Sequence, residues 1–355
     1  MKQEDIRQIL ERGILAPSAD NLQPWKFKPG QDQIDFFLDS ERIKNFCDEG
    51  YLVPYLSAGA AIENMRVEAT YLGYCLDASY FPKEGDPLWV ATLHFKPAES
   101  EHHPHYSALK QRVTNRKFYE QWRTIDTSIY SKLEHMVSQE KGFKLLWMKK
   151  NHSSFRELCC LLGKADQLRF ENERLHKELI ETLRFNQEDT QKTKDGLDLR
   201  TLESGAGGEL MFKLVRSWQR LKLLNSVGLS FLFNLYTQFQ LLTSQAVGLI
   251  AAPTHKPLDY TVGGEIMERV WHEITCEGLA IQPMEALPIF IINLLQTGGH
   301  DFDNKQRRKL EELKRQFLSL FELSDQNGLI LLFRMGHAEK PKIHSLRRPL
   351  ESFLI

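Results

Sequence analysis

The 355-residue chain has almost no net charge, with 46 Lys plus Arg against 47 Asp plus Glu and 12 His. A strongly basic nucleic-acid binder is therefore disfavoured. Cysteine is scarce: Cys47, Cys75, Cys159, Cys160 and Cys276 are odd in number and form no CxxC. That fits a reducing compartment, and a cytoplasmic location is expected. There is no GxGxxG and no GxSxG, and His272-Glu273 precedes Cys276, so the zinc-protease HExxH pattern fails. The Gly-rich ESGAGGEL (203–210) lacks the Lys-Ser/Thr of a phosphate loop and reads as a turn between helices. Charge is missing altogether from Leu223 to Thr254, a run long enough to span a bilayer. It carries Asn225, Asn234, Gln238, Gln240 and Gln245, each of which would need a partner in hydrocarbon. A buried or interface helix followed by the strand LIAA is the better reading, with no membrane span. The opening MKQEDIRQILERGIL reads as an amphipathic charged helix and not as a signal peptide.

Composition is otherwise that of a globular chain with a sizeable core, 42% hydrophobic and 26% charged. Helical spacing is expected over 3–15 and 51–73, and strands over 25–28, 34–38 and 88–95. The polar stretch 97–105, with His102, His103 and His105, reads as a solvated linker between two halves. No carboxylate–His or Cys–His spacing supports a metal there. The second half brings a helix near 129–137, a strand at 143–148 and a mostly helical stretch over 152–240. Beyond it come strands at 245–252 and 328–334 and helices at 260–278 and 303–323.

Three segments carry chemistry. LAPSADNLQPWKF (15–27) sets Pro17, Ser18, Asn21 and Gln23 beside Trp25, a set of donors, acceptors and aromatic surface suited to a flat heteroaromatic ring. Taken alone, it reads better as a helix-to-strand connection with local caps. Arg112, Thr114 and Arg116 alternate along an extended segment and can face one oxyanion, two of them bidentately. The plain alternative is a solvated strand edge. Near the C-terminus, GLAIQPMEA (278–286) is expected to place Pro283, Met284 and Glu285 in a turn after a helix. Arg347 and Arg348 follow a polar loop and could reach the same anion as Arg112.

Together these segments resemble the nitroreductase-like family. APSADNLQPWKF resembles its APSxxNxQPWxF signature and RVTNR its RxSxR phosphate segment. GLAIQPMEA resembles its Pro-x-Glu-Gly segment, and RMGHAEKPKIHSLRRPL its C-terminal ending. The resemblance covers roughly residues 5–120 and 245–355. Segments such as SERIKNFCDEG (40–50) and RFNQEDTQKTKDGL (184–197), with the long middle insertion, narrow it to the Acg-like subgroup. It implies an α+β fold of mainly antiparallel sheets flanked by helices. Two half-domains, 1–100 and 106–355, would form an intramolecular pseudo-dimer, with a helical lid over about 152–244. The motif order supports this: RxTxR follows APSxxN here, and each occurs once. One complete FMN site and one degenerate site are therefore expected, the region 137–150 holding no second APSxxN.

By the same resemblance, Arg112, Thr114 and Arg116 hold the FMN phosphate, with Arg347 or Arg348 closing it. Pro17, Ser18 and Asn21, with Gln23, line the ring from the first half; Pro283, Met284 and Glu285 line it near N5. Ala19 replaces the second Ser common in the turn, and Ala286 replaces the Gly after the late Glu. The implied activity is reduction of a small acceptor, a quinone or nitroaromatic, with NADH or NADPH as electron donor. No protein side chain is expected to act as nucleophile. The alternatives are a flavin-sequestering protein without turnover and an FMN-dependent dehydrogenase of a partner's peptide or a cofactor precursor. A monomer or a homodimer of pseudo-dimers is expected.

Overall fold

The computed structural model describes residues 1–43 and 50–355, of Ala206 the backbone only. Cys47 and most of the 40–50 segment lie outside the described residues; the other four cysteines are free thiols. Helix α1 (Gln3–Gly13) buries Ile6, Ile9 and Leu10 on one face, as its spacing predicts. Strands β1 (Trp25–Pro29) and β2 (Gln33–Leu38) follow, then the long helix α2 (Leu52–Tyr71) and strands β3 (Tyr74–Tyr80) and β4 (Trp89–Pro97). The second half runs through α3 (Ala108–Gln111), α4 (Ser128–Ser138) and β5 (Lys144–Lys149). An insertion follows, of α5 (Phe155–Glu171), α6 (Glu173–Thr182), β6 (Leu183–Arg184), α7 (Gln187–Thr193), β7 (Leu197–Asp198), α8 (Gly205–Leu214), α9 (Trp218–Asn225) and α10 (Leu229–Leu242). The chain closes with β8 (Ala246–Ala252), α11 (Pro257–Cys276), β9 (Ala280–Pro283), α12 (Ala286–Thr297), α13 (Asn304–Leu320) and β10 (Gly328–Gly336).

The two halves repeat one plan. One four-stranded antiparallel sheet has the order β1-β2-β4-β3 and the other β5-β8-β10-β9, the same order counted from the first strand of each. In each, a 20-residue helix joins the second strand to the third, α2 in one and α11 in the other. These helices pack on each other, and Gly59 and Gly264, each the eighth residue of its helix, meet at their crossing. A Cβ at Gly59 would strike the Thr261 carbonyl, and one at Gly264 the Leu56 carbonyl. The helices therefore approach as closely as backbone allows. Set in register on these glycines, Glu63 matches Glu268, Glu68 matches Glu273, Thr70 matches Thr275 and Gly73 matches Gly278. Gly73 and Gly278 both terminate their helix with positive φ, 84° and 68°. The fold is thus α+β, two antiparallel sheets with flanking helices, arranged as an internal pairing of similar halves.

Three differences from the sequence reading have physical reasons. Strand β3, strand β9 and helix α12 went unread; β9 is only four residues long and α12 is apolar around its whole circumference, so neither shows a clean period. Pro283-Met284-Glu285 accordingly follows a strand and opens a helix. ESGAGGEL is no turn: Gly205 begins α8. The 97–105 stretch does not stay in solvent at its end, because His105 is buried with Nε2 3.0 Å from Glu273 of α11. Among the described residues, no group of three or more His, Cys, Asp or Glu is placed to hold a metal ion.

Two packing facts position the site. Helix α5 of the insertion joins the second core with Leu158, Leu161, Leu162, Ala165 and Leu168, beside α12 and α13. The C-terminal segment crosses back to the first half, where the Ile355 amide donates to the Phe27 carbonyl at 3.0 Å and Phe353 packs against Trp25. This covers the free edge of β1, a device that natural sheets use against edge pairing. No helix is long and apolar enough to cross a membrane, the described residues having been searched.

Candidate functional site

A cavity of about 780 Å³ lies where the two halves and the insertion meet. It falls within the size range of small-molecule and cofactor sites. The first half contributes Pro17 to Asn21 and Val53, Leu56 and Ser57 of α2. The second contributes Arg112, Thr114, Arg116, Trp271, Arg347 and Gln282 to Ala286, and the insertion closes it with α5, α8 and α10. Residues expected at the site from three distant segments therefore share one wall-to-wall space.

The turn after α1 is held in an unusual backbone. Asp20, Asn21 and Gln23 all have positive φ, 46°, 56° and 54°, a conformation that non-glycine residues adopt at a cost. Its surroundings hold it there. Arg347 donates to the carbonyls of Ile14, Leu15 and Ala16 at 2.9–3.0 Å and to Asn21 Oδ1 at 2.8 Å. The Asn21 amide in turn donates to the carbonyls of Gly196 and Leu346. The Gln23 backbone amide donates to Ser18 Oγ at 2.9 Å.

Gln23 and Arg348 do not line the cavity. Gln23 is fully buried, its side-chain amide bound to the Asn21 and Lys194 carbonyls while its Oε1 accepts from the Arg348 amide. Arg348 donates to the Gln23 carbonyl and lies over the Phe353 ring, so the pair fastens the C-terminal segment to the turn. Arg347 reaches the cavity, but its N–H groups are taken by protein oxygens. It holds the turn and supplies charge more than free donors.

Charge is concentrated on one side. Arg112 is ion-paired through Nε with the buried Glu268 at 2.9 Å, donates to the Leu15 carbonyl and lies 4.8 Å above the Trp271 ring. Burial pushes the Arg347 guanidinium down to about 9, and neighbouring Arg112 pushes the same way, against Glu268. It stays protonated at neutral pH. Burial also lowers Arg116, which donates from its backbone to Glu203 at 2.8 Å and from Nη1 to the Thr201 carbonyl. Asp20 sits nearby: burial raises its carboxyl, while Arg169 and Arg116 partly oppose that rise. Arg112, Arg116, Arg169 and Arg347 thus line one cavity, two of them bonded to Glu268 and Glu203, and offer cationic partners to an added anion.

The opposite end is of another character. Glu285 stands at the N-terminus of α12, where its Oε1 accepts from the Leu332 amide at 2.7 Å. Burial pushes its carboxyl up to about 8, against that hydrogen bond. It is therefore mostly protonated at neutral pH and can donate as well as accept. Met284, Met267 and Leu331 give this end flat apolar surface. A ligand with an anionic group and a polar-edged apolar ring fits this lining. The cavity residues Trp271, Arg169 and Gln240 went unread in the sequence, since each lies inside a helical period with no motif of its own.

The insertion grips the turn directly. The Gly196 backbone amide donates to the Asn21 carbonyl at 3.2 Å, the Asn21 side-chain amide donates back to the Gly196 carbonyl at 3.0 Å, and Asp195 bridges Arg42 at 2.8 Å and Arg184 at 2.6 Å. The Gln240 amide donates to the Arg116 carbonyl at 2.8 Å.

No family model matches the chain. An "Uncharacterized protein MT1398" of Mycobacterium tuberculosis is 26% identical over 347 residues, 96% of this chain but 47% of that protein. The M. tuberculosis protein named "Putative NAD(P)H nitroreductase acg" is 30% identical over 94 residues, 26% of this chain and 28% of its own length. "Putative NAD(P)H nitroreductase Rv3131" is 26% identical over 121 residues, 34% of this chain and 35% of its own. The matched region thus spans less than half the length of these relatives. Among solved structures, the FMN and NADPH-dependent nitroreductase NfnB of a Sphigopyxis strain has TM-score 0.38 and 13% identity, over 70% of this chain and 96% of that one. A nitroreductase-like protein of Bacillus cereus has TM-score 0.35 and 12% identity, over 72% and 96%. Over part of its length the chain is thus similar to M. tuberculosis proteins named as nitroreductases.

Proposed function

We propose that the protein is an FMN-binding oxidoreductase that passes electrons from NADH or NADPH to a small acceptor such as a quinone or nitroaromatic. The observation that carries the reading is one cavity lined by the guanidiniums of Arg112, Arg116, Arg169 and Arg347 and by the Glu285 carboxyl, which burial pushes up to about 8 beside apolar side chains. Arg112 and Thr114 keep donors free for a phosphate, and Arg116 and Arg347 add charge behind them. Pro17, Ser18, Asn21, Pro283, Met284 and Glu285 would flank the ring. FMN, when bound, supplies hydride acceptance and donation. The protein's own part is electrostatic and steric. The guanidiniums favour anionic groups, the clamped turn fixes one face of the cavity, and the insertion excludes water. Glu285 can hold a proton beside the ring. The nicotinamide donor is supported by the names of the acg and Rv3131 relatives.

A second reading keeps the flavin and drops the turnover. It is favoured by the hold of the insertion on the Asn21 turn through Gly196, next to Leu197 in the cavity wall. Purified protein mixed with NADH or NADPH separates the two. Rapid loss of flavin absorbance, reversed by menadione, is the expected result for the reductase. A bound flavin bleached by dithionite but indifferent to both nicotinamides would mean sequestration. Protein that binds no FMN would overturn both.

A further inference from the structure

Helices α8, α9 and α10 each bury one side in a small satellite core. Val215, Leu221 and Leu229 sit at its centre, with Met211, Phe212, Trp218, Leu224 and Phe233 packed around them. What remains outside is in part apolar. Leu210 and Leu214 of α8 are exposed, and Leu223, Val227 and Phe231, four residues apart through the α9–α10 corner, are 71%, 82% and 52% exposed. Such side chains are normal when scattered, but a run of them on adjoining helices marks an interaction surface.

The charge of the same segment has one sign. Between Glu209 and Asp259 there is no acidic residue, while Lys213, Arg216, Arg220 and Lys222 fall among the apolar positions. All four are exposed. Basic residues interleaved with exposed Leu and Phe describe a helix face that lies in the headgroup zone of an anionic bilayer. The apolar side chains enter the acyl boundary and the long basic side chains reach back to phosphates. A protein partner would need a complementary acidic and apolar groove, whereas the bilayer supplies both components without specific shape.

The face is also continuous with the cavity. Leu232, 56% exposed, lines the cavity together with Gly207, Gly208, Met211 and Phe212, so the helices that would touch lipid are those that roof the site. We propose that the α8–α10 face docks on an anionic lipid surface and opens the cavity roof toward the bilayer, from which an apolar acceptor would enter. The docking stands without the flavin; only the acceptor class rests on the function proposed above.

The test is co-flotation of the full-length protein with vesicles of phosphatidylcholine alone and of phosphatidylcholine with about a third phosphatidylglycerol, at low and high salt. Flavin content is measured separately on the same protein. Binding to the anionic vesicles, weakened about tenfold or more by salt or by the double variant Arg220→Glu, Lys222→Glu, is expected. The variant Leu223→Ser, Val227→Ser, Phe231→Ser should lose binding while keeping its circular dichroism. Both variants alter exposed positions, so folding should survive. Equal recovery with neutral and anionic vesicles, or none with either, overturns the proposal. So does a wild-type dimer in sedimentation that the triple-Ser variant converts to monomer, since the face would then belong to a second copy of this chain. Loss of flavin with vesicle binding intact would count against the function and not against the docking.

Discussion

Arg112 is the residue on which anion binding turns. Its Nε is paired with Glu268 and its Nη2 donates to the Leu15 carbonyl, and the residue lines the cavity, with no carboxylate bonded to Nη1 among the described residues. A charge-assisted contact of this kind contributes roughly 1.5–3 kcal/mol. Arg112→Ala should therefore weaken FMN retention about tenfold to a hundredfold, read by equilibrium dialysis. Unchanged retention would reduce Arg112 to a buried structural charge. Glu285 gives a pH signature. Its folded carboxyl titrates at about 8 and its unfolded one near the usual carboxylate value, so the folded state holds the extra proton between the two. Stability from this group is present in acid and falls as pH rises through that window, by at most about 1.4 kcal/mol per pH unit. Glu285→Gln should flatten the slope of denaturation midpoint against pH between about 5 and 8; a slope identical to wild type would mean that the carboxyl is solvated.

At the scale of elements, the crossing of α2 and α11 sets the distance between the halves. Gly264→Ala places a methyl group against the Leu56 carbonyl, which belongs to backbone and cannot rotate away. A loss of about 1–3 kcal/mol is expected, seen as a lower Tm, with altered flavin affinity because both helices line the cavity. An unaffected Tm would mean that the helices can separate freely. The same elements explain what could be read in advance. Strands β1, β2, β4, β5, β8 and β10 announce themselves by apolar runs between turn residues, and α1 and α13 by clean amphipathic spacing. Helices α2 and α11 are buried on nearly all sides, so their period is blurred and their length is the signal. Their internal likeness, Gly59 with Gly264 and Glu63 with Glu268, is present in the sequence but shows only when the two helices are laid side by side. Site residues within motifs were legible only through the three segments taken together, since a polar turn and alternating arginines each have a plain structural use alone. Gln23 and Arg348 looked the same at that level, and only packing distinguishes a residue that fastens the turn from one that faces the cavity.

For the whole molecule, the repeated sheet order and paired central helices make one chain resemble two copies of a half. The halves have diverged where they would have to supply a second cavity. At the position of α2 matching Trp271, the chain has Arg66, bonded to Glu265 at 2.7 Å, and Tyr80 also donates to Glu265. Burial alone would lower Arg66, but the Glu265 and Glu63 carboxylates outweigh it and raise the guanidinium, so this cluster is a satisfied ion-pair network with its charges already neutralised. The cavity between the halves instead collects Arg112, Arg116, Arg169 and Arg347. The most direct test of this account is the flavin-to-protein ratio of the purified, FMN-reconstituted chain, read from its absorption spectrum and amino-acid analysis. The account predicts one FMN per chain; two per chain, or none after reconstitution, would contradict it.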